Sequence, residues 1–447
     1  VRISGPPLAA VAPLVAVQVA LLAVFELAAH LWLTLALLLG GSLALAWALY
    51  RLRPPAAASA RSILVLAALL RLLALPLPPT LSDDVWRYLW DGRLAAAGGN
   101  PYRDAPASPA TEPLRDELWR RLPHRGVPTI YPPLAIAVFS IASRLPASPW
   151  ALKAILAGAD LAACALLVAL AGRLNLPLAR AVAYAWNPLV VLETAGMGHV
   201  DALGVLAALA AALALAARPP RVGPAAAAAA AGVLAKLLPV AALPLWARLS
   251  GRPARFAAAA VALVVLGFAP VLATSGGLPA GWRIYAISWE FNGPLFEPLW
   301  RLLAAAGAPG WAAGLLDRLK LLTGEHELWN RFYPYAYPQL LAKLVLGAGA
   351  AVAIAASLRE TRLVGGSARL FGRLLLLSAT VYPWYVLWVL PWAALEGASA
   401  WMLLAALLPL AYLAQPGGVD PFPWLQLAIW GPPLALVLWR RRRWSSG

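Results

Sequence analysis

The chain has 447 residues, 62% of them hydrophobic and only 12% charged, with a mean hydropathy of +0.74. That balance excludes an ordinary soluble domain and describes a polytopic membrane protein. The formal net charge of +17 would point to nucleic acid in a soluble chain. Here the basic residues gather in short loops between apolar runs, so membrane topology accounts for them and no nucleic-acid partner is expected. The lone cysteine, Cys164, lies inside an apolar run and supports neither a disulfide framework nor a cysteine metal site.

Leu8 to Ala28 and Leu31 to Tyr50 read as two spans joined by a tight turn, each with about the 20 residues a bilayer crossing needs. The first has no basic flank beyond Arg2 and is followed at once by the second, which argues against a cleavable signal. The next loop carries Arg51, Arg53 and Arg61 and no acid, so the positive-inside rule makes it cytoplasmic. Ser62 to Pro79 then crosses outward.

That crossing delivers the first long polar interruption, LSDDVWRYLWDGRLAAAGGNPYRDAP, from Leu81 to Pro106. It gathers Asp83, Asp84, Arg87, Asp91 and Arg93 among Trp86, Tyr88, Trp90 and Tyr102. Ser82 is expected as a helix N-cap, with Asp83 and Asp84 in the first turn, where the macrodipole favours acids. Asp84, Tyr88 and Asp91 then share a face, and Asp83 stands four residues from Arg87 and can pair with it. Gly98-Gly99-Asn100-Pro101 ends the helix. The same two acids also suit a plain helix cap, and spacing alone does not choose between the two readings.

Tyr131 to Leu145 is apolar but short, about 15 residues, and is read as a helix along the outer interface. Counting it as a span would put Arg173 and Arg180 outside, against the charge rule. Trp150 to Ala171 crosses inward. Leu178 to Ala195 crosses outward and presents Glu193, His199 and Asp201, and Ala202 to Ala217 returns. Pro224 to Arg248 is read as two short segments meeting at Lys236, because one span would put Arg248, Arg252 and Arg255 outside. Pro239 and Pro244 make that break plausible. Phe256 to Ala273 leads to a second outer region, residues 274–337, which holds Glu290 and Asn292. Its apolar middle, Leu299 to Leu322, is expected along the interface. Pro338 to Leu358 crosses inward to an arginine-rich loop ending at Arg373. Leu374 to Val381 returns to Tyr382-Pro383-Trp384-Tyr385. Ala400 to Ala414 and Leu425 to Trp439 complete the chain, with Arg440 to Arg443 inside.

The expectation is one all-α membrane domain, residues 1–447, of about 11–14 spans, with interfacial helices in a first extracytoplasmic loop, residues 80–148. Its polar outer residues come from at least six segments near one membrane face. Ionisable groups there are costly unless they pair or face a cavity, so convergence on one site is the economical reading. No P-loop, dinucleotide fingerprint, HExxH or GxSxG motif is present, and His199 with Asp201 is too sparse for a zinc site.

The ordered set of motifs resembles the C-type (GT-C) glycosyltransferase superfamily, in particular its polyprenyl-phosphate-mannose-dependent mannosyltransferases. The resemblance rests on Ser82 to Arg93 with Asn100-Pro101-Tyr102, then Thr129-Ile130-Tyr131-Pro132-Pro133-Leu134, and Asn187-Pro188 with Glu193 to Asp201. Lys236-Leu237-Leu238-Pro239 and Tyr382-Pro383-Trp384-Tyr385-Val386-Leu387-Trp388 complete it. Tyr382 stands where the family often has histidine, and the two N-terminal spans go beyond the minimal family core. The resemblance implies a GT-C-like bundle in the inner (cytoplasmic) membrane with an outward-facing site. It further implies a membrane-embedded polyprenyl-phosphate sugar donor, by default mannose, a lipid or glycan acceptor, and inversion at the anomeric carbon.

Chemistry then suggests roles. An acceptor hydroxyl needs a carboxylate base, with Asp83 first and Asp84 second. The lipid-phosphate leaving group needs cations, and Arg87, Arg93, Lys236 and His199 are candidates. Trp86, Tyr88, Trp90, Asp91, Tyr102, Tyr131, Glu193, Asp201, Glu290, Asn292, Trp384 and Tyr385 are candidate substrate contacts. Lys236 also suits snorkelling, and His199 with Asp201 also suits a helix cap. No cofactor is expected. A divalent metal on Asp83 and Asp84 stays open, with two acids and no third ligand. The competing readings are a lipid-linked sugar flippase or transporter and an outer-face glycan polymerase or ligase; the missing internal repeat counts against transport.

Overall fold

The computed structural model describes residues 8–52, 58–145, 148–414 and 422–445, with side chains to residue 440. Among them every regular element is a helix, and the strand-like contacts are isolated bridges from Phe291 and Asn292 to Thr380. The protein is an all-α membrane protein. Arg53 and the side chains of Arg441 to Arg443, which the sequence reading used for topology, lie outside the described residues.

Helices Leu8–Val24 and Leu31–Arg51 pack together through a turn in which Phe25 adopts a left-handed φ of 60°. Leu27 is fully buried, its carbonyl accepts the Thr34 hydroxyl at 2.9 Å, and the Ala28 N–H donates to Thr80 Oγ1 at 3.3 Å. Ser59 and Ser62 form a reciprocal capping box that starts the helix Ala60–Ala74. The helix Asp84–Ala96 begins one residue later than expected. Asp83, rather than Ser82, holds the cap position and makes no side-chain cap bond. Ser82 Oγ instead accepts the Asp84 N–H at 3.3 Å, which leaves the Asp83 carboxylate uncommitted.

The expected Asp83–Arg87 pair does not form. Arg87 Nε bonds Asp91 Oδ1 at 2.9 Å one turn further along, where both are buried. A helix does follow Tyr131, Pro133–Ser143, and it packs against Asp84–Ala96. Gly92 permits that approach, since a Cβ there would sit 2.3 Å from the Phe139 carbonyl carbon and oxygen.

Helices Ser148–Arg173, Asp201–Leu215, Val222–Ala235 and Pro253–Ser275 pack in succession as the central layer. Among the described residues, four helices are long and apolar enough to cross a membrane: Leu31–Arg51, Pro149–Arg173, Pro253–Ser275 and Pro338–Ser357. A fifth candidate is the pair Pro188–Gly196 and Asp201–Leu215, bent by 118°. The expectation of about 11–14 crossings counted apolar runs that the structure breaks into shorter helices. Leu178 to Ala195 is one such run: it stops at Ala185, restarts at Pro188 with Asn187 as its cap and ends in a π turn, Leu192–Gly196. Pro224 to Arg248 does break at Lys236, which is extended between Val222–Ala235 and a 3₁₀ turn, Leu238–Ala242. Near the C-terminus, the helix Leu363–Leu376 starts earlier than expected and takes Arg369 and Arg373 into its last turns. Residues 274–337 contain Phe296–Ala305 and Ala308–Thr323, both with exposed leucines. Large apolar side chains stay exposed along the long helices too, among them Leu43, Leu72, Leu266 and Val352, as lipid contact requires.

The central layer encloses a polar network. Arg71 donates to Asp160 Oδ2 at 2.8 Å and to the Ala67 and Ala185 carbonyls, each at 2.9 Å. Asp160 also accepts the Tyr184 hydroxyl at 2.6 Å and the Thr194 hydroxyl at 2.9 Å. Four segments are thereby tied together, including the π turn. Removing one buried partner leaves the other charge uncompensated. Asp160→Ala is therefore expected to destabilise the protein by about 3–5 kcal/mol, measured by unfolding in detergent. The double change Arg71→Met with Asp160→Leu should recover most of that loss.

Candidate active site

A cavity of about 1400 Å³ lies where these broken segments meet. Its wall draws on the turn at Glu26, the stretch Pro78 to Arg87, the loop around His124 and Tyr131, Asp201, Lys236, the segment Trp282 to Phe291, and Tyr382 to Trp388.

Lys236 reaches the wall because its backbone is extended between two helix ends. Its Nζ lies 3.1 Å from Asp201 Oδ2 and 5.6 Å above the centre of the Tyr385 ring. Asp201 is buried at the first turn of Asp201–Leu215 and also accepts the Trp388 indole N–H at 2.7 Å. The Tyr285 and Tyr385 hydroxyls are 2.5 Å apart. This part of the wall carries one cation, held by a single carboxylate and still partly open to the cavity.

Behind the wall lies a second charge group. His199 is completely buried, with Nδ1 3.5 Å from Asp84 Oδ2 and Nε2 3.2 Å from Glu193 Oε2. Tyr412 donates to Glu193 Oε1 at 2.5 Å. The His199 ring stacks on Trp384 at 3.8 Å, Trp384 on Tyr382 at 4.6 Å, and Tyr382 on Phe291 at 4.6 Å. Gly198, at φ 78°, makes the turn into His199, and a Cβ there would lie 2.8 Å from Lys153 Cγ. Lys153 is itself fully buried, and its ammonium donates to the carbonyls of Leu75 and Leu77 at the end of Ala60–Ala74.

The two aspartates differ. Asp84 accepts the Tyr88 hydroxyl at 3.2 Å and faces His199. Burial works against its charge, but His199, Lys236 and Tyr88 outweigh that and hold its carboxyl below the ordinary value. Asp83 has no side-chain partner and is open to the cavity. Protein still crowds its mouth, and that burial, with the Asp84 charge beside it, pushes the Asp83 carboxyl up to about 6.

Asp83, Asp84, Trp86, Arg87, Tyr131, Asp201, Lys236, Glu290, Trp384 and Tyr385 line the cavity. Arg87 spends donors on Asp91 and on the His124 and Val127 carbonyls, and Glu290 pairs with Lys343 at 2.9 Å. Tyr88, Glu193 and His199 support the wall from behind. Four candidates lie elsewhere. Arg93 pairs with Asp116 at 2.6 Å, while Trp90, Asp91 and Tyr102 are buried. Asn292 is also away from it, at a left-handed φ of 51°, accepting the Trp430 indole N–H at 3.3 Å beside the Thr380 bridges. Sequence reasoning missed the wall residues Glu26, His124 and Tyr285, which carry no motif of their own, and gave no role to Trp388, the last residue of the motif that begins at Tyr382. It also missed Arg71 and Asp160, whose signal was a lone charge inside an apolar run. Among the described residues no three of His, Cys, Asp and Glu converge as metal ligands.

Carboxylates, a wall cation and stacked aromatic rings within an apolar helical bundle suit the class of integral-membrane enzymes that act on sugars. The family model described as alpha-(1->6)-mannopyranosyltransferase, N-terminal domain (MptA_B family), matches residues 5–252, and the chain belongs to that family. No curated protein and no solved structure matches the chain. Family membership makes the protein a glycosyltransferase and supports mannosyl transfer. The match contains Asp83, Asp84, Asp201 and Lys236; the Tyr285, Trp384 and Trp388 wall lies beyond it.

Trp388 can reach Asp201 only because Gly204 has no side chain, since a Cβ there would lie 2.3 Å from the indole Cη2. Misplacement by about 1 Å at a reacting centre costs about 100-fold in rate. Gly204→Ala is expected to lower kcat/KM by that order, while Gly40→Ala, which meets nothing within 4 Å, leaves it unchanged in the same transfer assay.

Proposed function

We propose that the protein moves a mannosyl unit from a polyprenyl-phosphate donor to a hydroxyl of a lipid or glycan acceptor on the extracytoplasmic face, with inversion at C1. The observation that carries this reading is the pairing, in one cavity, of an uncommitted carboxylate, Asp83, with a wall cation, Lys236. The arginine-rich loops that alternate with acid-bearing ones favour the outer side.

In this scheme the acceptor oxygen forms a bond to C1 as the C1–O bond to phosphate breaks. Asp83 takes the hydroxyl proton as general base. The polyprenyl phosphate leaves with the bonding electron pair, and Lys236, assisted by Arg87, balances its charge. A single in-line displacement inverts C1. Asp84 is committed to His199 and Tyr88 and serves as a positioning residue. Trp86, Trp289, Trp384 and Tyr385 offer ring faces to the sugars. The loops 80–148 and 274–337 supply most of this wall and act as the substrate-binding regions.

Purified protein incubated with radiolabelled polyprenyl-phosphate mannose and a membrane lipid extract should move label to a new product. Asp83→Asn should cut that transfer by about 10²–10⁴-fold, the range of general-base catalysis. Transfer from none of a series of polyprenyl-phosphate sugars would overturn the reading.

The pH profile separates the two acids. A base works only when deprotonated, and the Asp83 carboxyl sits near 6. Activity should therefore be full above about pH 6 and fall as the pH drops through that value. A limb below the ordinary carboxylate range would assign the base to Asp84 instead, whose carboxyl is held low.

A further inference from the structure

We infer that the turn between the first two helices forms an acceptor subsite in which Glu26 binds hydroxyl groups of a neutral saccharide. The inference rests on the functional reading above and adds a residue and a ligand class to it.

Glu26 lines the same cavity as Asp83 and Lys236. Unlike Asp84, Asp201 and Glu290, its carboxylate has no hydrogen-bond or ion-pair partner among the described residues. The turn that presents it is not loose. Leu27 beside it is fully buried and hydrogen-bonded through its carbonyl to Thr34, and Phe25 takes the left-handed conformation that tightens the turn.

Its position favours the acceptor over the donor. The Ala28 N–H to Thr80 bond fixes the turn to the stretch that ends, three residues later, on Asp83. Three extended residues span about 10 Å at most and the two from Ala28 back to Glu26 about 7 Å more, so the turn sits on the base's side of the cavity, no more than about 20 Å of chain from Asp83. The donor phosphate needs cations, and a free carboxylate repels it. The acceptor's hydroxyls are donors, and a carboxylate with two open oxygens accepts from neighbouring hydroxyls. The same charge discriminates against an acceptor that carries phosphate near its reacting sugar.

The probes are an octyl glycoside of a mannose disaccharide and the same disaccharide bearing a phosphate on its reducing sugar. Binding is read by tryptophan fluorescence and transfer by label incorporation, with wild type, Glu26→Gln and Glu26→Ala. Charge-assisted hydrogen bonds imply about a tenfold rise in the Kd and KM for the neutral disaccharide in both variants, with the donor KM and kcat unchanged. The phosphorylated probe should bind wild type more weakly than the neutral one and lose that handicap in Glu26→Gln. Equal affinity of wild type and variants for the neutral disaccharide, or its failure to bind wild type, overturns the inference. If the disaccharide binds in a Glu26-dependent way but no label is transferred, the subsite stands and the transferase reading falls.

Discussion

The site depends on one constraint: a charge inside an apolar bundle needs a partner. Asp84 and Glu193 close on His199, Asp201 closes on Lys236, and Asp160 closes on Arg71. Each closure also ties chain segments that are far apart in sequence. The consequence for chemistry lies in what is left over. Asp83 and Glu26 are cavity carboxylates without such closure, and they keep it only because the cavity gives them access to water or substrate. The most committed acids therefore hold the architecture, and the least committed ones are available to act.

The second dependence is on broken backbone. Non-helical chain at membrane depth is tolerated where protein buries it or where it lines a cavity. Both major breaks obey this. The π turn and the Gly198 turn carry Glu193 and His199, and the extended Lys236 carries the wall cation. Thr194 in that π turn bonds Asp160, so the buried ion pair and the site share one turn of chain, facing opposite ways. An error in packing the central layer is thereby passed directly to His199 and, through it, to Asp84.

Much of this was legible in the sequence, for physical reasons that differ residue by residue. The break at Lys236 followed from charge topology and from Pro239 and Pro244, because arginines resist translocation and proline ends a helix. The polar stretch from Leu81 marked the cavity because charge is rare elsewhere in the chain. Orientation within that stretch was not legible: Arg93, Asp91, Trp90 and Tyr102 are neighbours of Asp84 in sequence and lie away from the cavity in space. Their facing depends on Gly92 and the helix it admits, a contact with residues some 45 positions later. Tyr285 carries no motif and Trp388 closes one without an evident role, and both gain a role only where separate segments meet. Helix continuity was not legible for a related reason. Hydropathy averages over a window, while a single Asn187-Pro188 step or a π turn decides whether the run is one helix.

In the proposed reaction Asp83 and Lys236 address opposite ends of one reacting bond. A structure of Asp83→Asn bound to polyprenyl-phosphate mannose, determined by electron cryomicroscopy, tests it most directly. The account predicts the donor phosphate against Lys236, the lipid chain leaving through an exposed apolar flank of the helices, and C1 turned toward residue 83. A donor phosphate seated away from Lys236, or a C1 that the side chain at 83 cannot approach through an acceptor oxygen, would contradict it.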